Sequence, residues 1–168
     1  MRAILFGLML ALLSAPAFAF DDPQALVAAI YAPYQTPGAA AGQDPTQYYS
    51  ERLKGLVSGH AAKAAANILD HGENSQPGTG PIAPALSFNP FINAQHSLLM
   101  DLSIGTPIVI KNKALVTVAF SNFDHATLLS LSLVKDPDGW KVDDIASLGE
   151  GENWLLSWLL QYDPFSVN

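Results

Sequence analysis

From about residue 101 onward, hydrophobic and polar positions alternate with a period of two. In "ALVTVAFSN", Val116, Val118 and Phe120 stand against Thr117, Ala119 and Ser121. In "ATLLSLSLVK", Leu129, Leu131 and Leu133 stand against Ser130 and Ser132. A sheet with one buried face requires this alternation. "DLSIGTPIVI" reads as a further strand, and Pro107 within it marks an edge or a bulge, because proline cannot donate to a ladder. Turns fall at Lys111-Asn112-Lys113, at Phe123-Asp124-His125 and at Asp136-Pro137-Asp138-Gly139, where proline presets φ and glycine completes the reversal. "WKVDDIAS" is the last strand of a four-stranded antiparallel meander.

The preceding half has helical periodicity. Asp21-Asp22-Pro23 is a helix start, with an aspartate cap and proline in the first turn. Leu26, Val27, Ile30, Tyr31, Pro33 and Tyr34 give that helix its apolar face. After a linker, "QTPGAAAGQ", Asp44-Pro45 repeats the start signal and opens a second helix through "TQYYSERLKGLV". Ser58-Gly59 interrupts it, and "HAAKAAANILDHG" reads as a third helix closed by Gly72. Residues Gly72 to Pro84 form a Pro- and Gly-rich loop. The terminal "ENWLLSWLLQY" is helical and apolar around most of its circumference, more than a single stripe against a sheet needs. Trp154 and Trp158 are therefore candidate interface residues, for a homodimer or a partner groove. Helices followed by a meander define an α+β class.

The first residues are a separate matter. Met1-Arg2 is a short basic start, Ala3 to Leu13 is apolar, and Ala17-Phe18-Ala19 offers small residues where a signal peptidase reads. The apolar run is short of the roughly 20 residues a spanning helix needs. The expectation is a signal peptide over 1–19, cleaved after Ala19, and one domain over 20–168, periplasmic or secreted and without a membrane anchor. That domain holds no cysteine, so no disulfide supports it despite export. The chain carries a net charge of −7, and losing Arg2 leaves seven basic against fifteen acidic residues. An acidic surface of this kind argues against nucleic acid and anionic membranes, and suits solubility.

Asp143 and Asp144 stand side by side in an otherwise apolar strand. Successive strand side chains point to opposite faces, which puts Asp144 with Trp140 and Val142, and Asp143 with Lys141 and Ile145. On a regular strand the two carboxylates cannot converge; only a β-bulge would bring them together, and nothing in the sequence demands one. Asp144 alone, beside apolar neighbours, is the weak candidate for a general base. Four histidines, His60, His71, His96 and His125, lack metal-ligand spacing. No G-x-S-x-G elbow, phosphate-binding glycine loop or cysteine nucleophile is present. No metal or cofactor is implied.

The order of helices, loop and meander resembles the cone fold shared by nuclear transport factor two and ketosteroid isomerase. More narrowly, "ALVAAIYAPY", "YYSERL", "FNPFINAQ", "DLSIGTPIV" and "GWKVDDI" resemble an uncharacterised family of exported bacterial proteins with that fold. The second and last positions of "FNPFINAQH" often hold acidic residues in that family; here they are Asn89 and His96, so no role resting on those carboxylates carries over. The resemblance implies a concave, largely apolar interior of the kind that holds small molecules. Tyr31, Tyr48, Tyr49, Phe91, Trp140 and Asp144 are its candidate lining, with Arg52 as anchor for an anionic group. The aromatics also suit a core, and Arg52 suits a solvated helix face. Three functions follow as expectations: a non-enzymatic module binding a small apolar or amphipathic ligand, a protein-interaction or immunity-type inhibitor acting through its acidic surface or last helix, and an acid/base enzyme using Asp144. The absence of converging polar groups favours binding over catalysis.

Overall fold

The fold is given by a computed structural model, which describes residues 19–36, 44–71, 86, 88–149, 151 and 153–161, with backbone alone at 64 and 66–71. The expected signal peptide up to residue 18, most of the first linker and the Gly72–Pro84 loop lie outside the described residues.

Helix α1 spans Pro23–Tyr31, and the Asp22 carboxylate accepts from the Ala25 amide at 3.0 Å, as the start signal predicts. Pro33 has no amide to continue the α ladder, and the chain tightens into a 3₁₀ turn over Ala32–Gln35. Asp44-Pro45 opens only another 3₁₀ turn, Pro45–Tyr48. The long helix α2, Glu51–His71, starts instead at Ser50, whose Oγ accepts from the Leu53 amide at 3.1 Å. It runs through Ser58-Gly59, so the second and third predicted helices are one. A mid-helix glycine costs only about 1 kcal/mol, and the alanines around it restore helix propensity. The Ser58 hydroxyl donates back to the Lys54 carbonyl at 2.9 Å, within the helix.

The strands are β1 Leu99–Ile104, β2 Ile108–Ile110, β3 Lys113–Asn122, β4 His125–Asp136 and β5 Gly139–Ser147. They form one antiparallel sheet in the order β1-β3-β4-β5, with β2 also paired to β3. The single strand expected over "DLSIGTPIVI" is thus two, broken where Pro107 lacks a donor, and both lie on the same edge of β3. At the break the Gly105 amide still donates to the Thr117 carbonyl at 2.8 Å. Phe123 and Asp124, with φ of 48° and 67°, make the two-residue turn closed by the Asn122–His125 pair. The class is α+β, as the pattern predicts.

One sheet face is the core. Val116, Val118, Phe120, Leu129, Leu131, Leu133, Val142 and Ile145 are buried there, with α1 laid over them through Leu26, Val27, Ile30 and Tyr31. The N-terminal segment closes one end: the Trp140 amide donates to the Phe20 carbonyl at 2.8 Å, and its indole to the Asp21 carbonyl at 3.2 Å. Gly139, at φ +100°, permits this, because a Cβ there would lie 2.7 Å from the Phe20 backbone. The free edge of β5 is covered at two points, by a bridge from Tyr49 to Val142 and another from Leu155 to Ala146. Helix α3, Leu156–Gln161, begins only after Leu155, which is held in that bridge; Leu156, Ser157 and Leu160 are buried. No helix among the described residues is long and apolar enough to cross a membrane.

Candidate functional site

The two adjacent aspartates are placed by an irregularity. Ser132 pairs with Asp144 and Leu133 with Val142, so Asp143 is one residue too many for its partner strand. That is a β-bulge, and it overturns both expectations drawn from a regular strand. Asp144 does not share the face of Trp140 and Val142; it stands in register with Ser132 on the opposite, solvent-facing side. The two carboxylates do converge, on Arg52 of α2.

Arg52 donates from Nε to both oxygens of Asp143, at 3.0 and 3.1 Å, and from Nη2 to the Asp143 carbonyl. Its Nη2 also lies 3.8 Å from Oδ2 of Asp144. Ser50 adds a hydroxyl donated to Asp143 Oδ1 at 2.7 Å, while its amide donates to the Val142 carbonyl at 2.8 Å. Burial works to raise the Asp143 carboxyl, but the hydrogen bonds from Arg52 and Ser50 and the charges of Arg52 and Lys113 outweigh it and hold the group below its usual range. Hydrogen bonding to Asp143 likewise holds the arginine above its ordinary value.

Asp144 has a different employment. Its Oδ1 accepts from its neighbour's amide, at Ile145, and from the Ser157 amide at 3.0 Å; its Oδ2 accepts from the Ser157 hydroxyl. The first amides of a helix have no partner within it, and Leu155, just before α3, has no side-chain acceptor to offer. A carboxylate from β5 supplies what a local cap normally would. Asp143 and Asp144 together therefore join β5 to α2 and to α3.

The aromatic candidates are found in the core. Tyr31, Tyr49, Phe91 and Trp140 are buried, and Tyr48 is half-buried. Phe91 lies at the centre of a cluster, with ring centroids 5.8 Å from Tyr49 and 6.4 Å from both Tyr31 and Tyr48. The Tyr31 hydroxyl donates to the Phe91 carbonyl at 2.8 Å, and burial raises its pKa well above the ordinary tyrosine value. Asn89 donates to the Tyr34 hydroxyl at 2.6 Å and accepts from the Phe91 amide at 3.0 Å, a structural use of a position that the resemblance associates with carboxylates.

Open space lies on the other sheet face. A groove of about 430 Å³ runs along Ile108, Ile110, Leu115 and Val134, with Lys113 in its wall and Ser132, Arg52, Asp143 and Asp144 at its side. Arg52 and Asp144 are the only residues of the expected ligand set that line it. Its hydrophobic lining is open to water, with Ile108 63%, Ile110 68% and Leu115 39% exposed. A second, shallower depression lies beside the last segment, between Leu148, Trp154, Leu155 and Trp158. Trp154 is partly buried, its indole donating to Asn93 at 2.9 Å and its ring 5.2 Å from Phe88, whereas Trp158 is 57% exposed. Among the described residues no three His, Asp or Glu side chains gather as metal ligands.

Several participants were not singled out from the sequence. Ser50 and Ser157 carry no motif, and only the tertiary contact reveals their use. Lys113 was legible as a turn residue, and Ile108 and Ile110 as members of a strand, but not as lining of an open groove. Comparison of the chain with protein families, with curated proteins and with solved structures gives no match.

Proposed function

We propose that this protein is a non-enzymatic binding module that holds a small amphipathic molecule, and that the groove over β2, β3 and β4 is its site. The observation that carries this reading is the groove itself: about 430 Å³, lined by exposed Ile108, Ile110 and Leu115 with a few polar groups along one side. Small-molecule sites have this composition and occupy roughly 300–1,000 Å³. Isolated exposed aliphatic residues are ordinary, but a contiguous set beside charged groups marks a contact surface. Catalysis has less support. Each oxygen of Asp144 already accepts a hydrogen bond from Ser157, and Asp143 is committed to Arg52 and Ser50.

Export belongs to the same proposal. Phe20, the residue after the expected cleavage site, is held in the fold, its carbonyl accepting from the Trp140 amide at 2.8 Å. The test is native mass spectrometry of the mature protein recovered gently from its own compartment. A reproducible added mass of roughly 200–500 Da, lost in Leu115→Glu, is expected. A bare chain would end the ligand reading.

One observation favours a second reading, a protein-interaction module. Leu148, Leu155 and Trp158 are exposed together at the junction of β5 and α3. On that reading Trp158→Lys dissociates a complex, with a second copy of this chain or a different protein, that Leu115→Glu leaves intact.

A further inference from the structure

The groove's charges are not equivalent, and the difference selects a ligand class. This step rests on the proposed ligand site and goes beyond it. Arg52, expected to anchor an anion, has its charge offset: through Nε and Nη2 it bonds both oxygens and the carbonyl of Asp143, with Asp144 beside it. The carboxylates are likewise turned to protein donors, Asp143 to Arg52 and Ser50, Asp144 to Ser157 and the backbone. Lys113 is the exception. Its side chain lines the groove, is exposed, and makes no ion pair or hydrogen bond among the described residues, although its charge is felt by Asp143.

Sheet register sets the hydrophobic body beside this ammonium. Lys113 pairs with Ile110 on one side and Val134 on the other, and Leu115 follows two positions along the same face of β3. Lys141 pairs with Val134 from β5, adding a second cation to the same row. A molecule lying over Ile108, Ile110 and Leu115 therefore meets a compact positive group whose three donors are unspent. We infer that the ligand is an anionic amphiphile, an aliphatic or aromatic body ending in a single carboxylate or comparable anion, with Lys113 as its head-group partner. A cationic head group finds no such vacancy, since both aspartates are engaged.

The probes are decanoate, decan-1-ol and decyltrimethylammonium, titrated into the full protein at neutral pH and low salt and followed by amide chemical shifts and calorimetry. Decanoate is expected to bind about tenfold more tightly than decan-1-ol, as a charge-assisted contact requires, with shifts at Ile108, Ile110 and Leu115. Lys113→Gln should bring decanoate down to the affinity of decan-1-ol. Unchanged urea unfolding of that variant confirms that the fold persists. Groove shifts with no preference for decanoate overturn the anionic class and leave the groove reading standing. A preference that survives Lys113→Gln overturns the role of Lys113. If none of the probes perturbs the groove, the ligand site and this inference fall together.

Discussion

The guanidinium of Arg52 lies 3.0 and 3.1 Å, at Nε, from the two oxygens of Asp143, a residue 91 positions away in the chain. Asp143 stands at the β5 bulge, facing away from buried Val142 toward Arg52, and the bulge brings Asp144 to that side as well. Arginine's fork suits this contact, since Nε serves the carboxylate and Nη2 the carbonyl of the same residue, a spread that a lysine's single nitrogen lacks. With Arg52 half-exposed, water screens the pair, so Arg52→Lys should cost about 1 kcal/mol. Urea unfolding in a double-mutant cycle with Asp143→Asn checks it. Additive losses would mean that the pair contributes nothing beyond its separate parts.

Acid should weaken the same junction. The Asp143 carboxyl is held below its ordinary value in the fold, burial opposing and the bonds from Arg52 and Ser50 prevailing. A carboxylate with a depressed folded-state pKa stabilises the protein above its unfolded value, about 3.9, and that contribution is lost as pH falls through the folded one. Between about pH 5 and pH 2 the native protein should therefore lose more stability than Asp143→Asn, measured as the shift in urea midpoint. Parallel pH profiles would remove Asp143 from this role.

Asp144 separates two readings in one experiment. As the acceptor for the Ser157 amide and hydroxyl it can be replaced by asparagine, which keeps one oxygen, but not by alanine. Asp144→Ala should cost about 1 kcal/mol and Asp144→Asn clearly less, as with helix caps. A general base, by contrast, is lost equally in both. Thermal or urea unfolding reads the first pattern; any activity found reads the second.

Gly139 should tolerate no side chain. Its φ of +100° is strained for other residues, and a Cβ would press on the backbone of Phe20 at 2.7 Å. Gly139→Ala is expected to lose roughly 1–3 kcal/mol and to expose the amides of Phe20 and Trp140 to hydrogen exchange. Unaltered exchange at Trp140 would show that the N-terminal segment is not held there.

Much of this architecture was legible. The inward set of β3 and β4 follows from alternation, and the Asp22-Pro23 start of α1 from capping chemistry. What failed did so for identifiable reasons. Asp44-Pro45 carries a start signal as strong as Asp22-Pro23, yet the chain spends it on a 3₁₀ turn. Tyr49 is then drawn out to bridge Val142, a contact invisible to local propensity. Gly59 weakens a helix by an amount that neighbouring alanines outweigh, so reading it as a break overweights one residue. The candidate site was legible only in its members, since Asp143, Asp144 and Arg52 were all singled out but not their convergence.

By itself, then, the sequence determined the α+β class, the paired strands and which face of β3 and β4 is buried. These depend on side-chain period and turn chemistry, which are local quantities. The tertiary structure decided the rest. A one-residue excess in β5 reverses the face of every residue beyond it, and it arises from how β4, α2 and α3 meet, not from the character of Asp143 itself. That single register shift took Asp144 off the core face and set it beside Arg52 and Ser157.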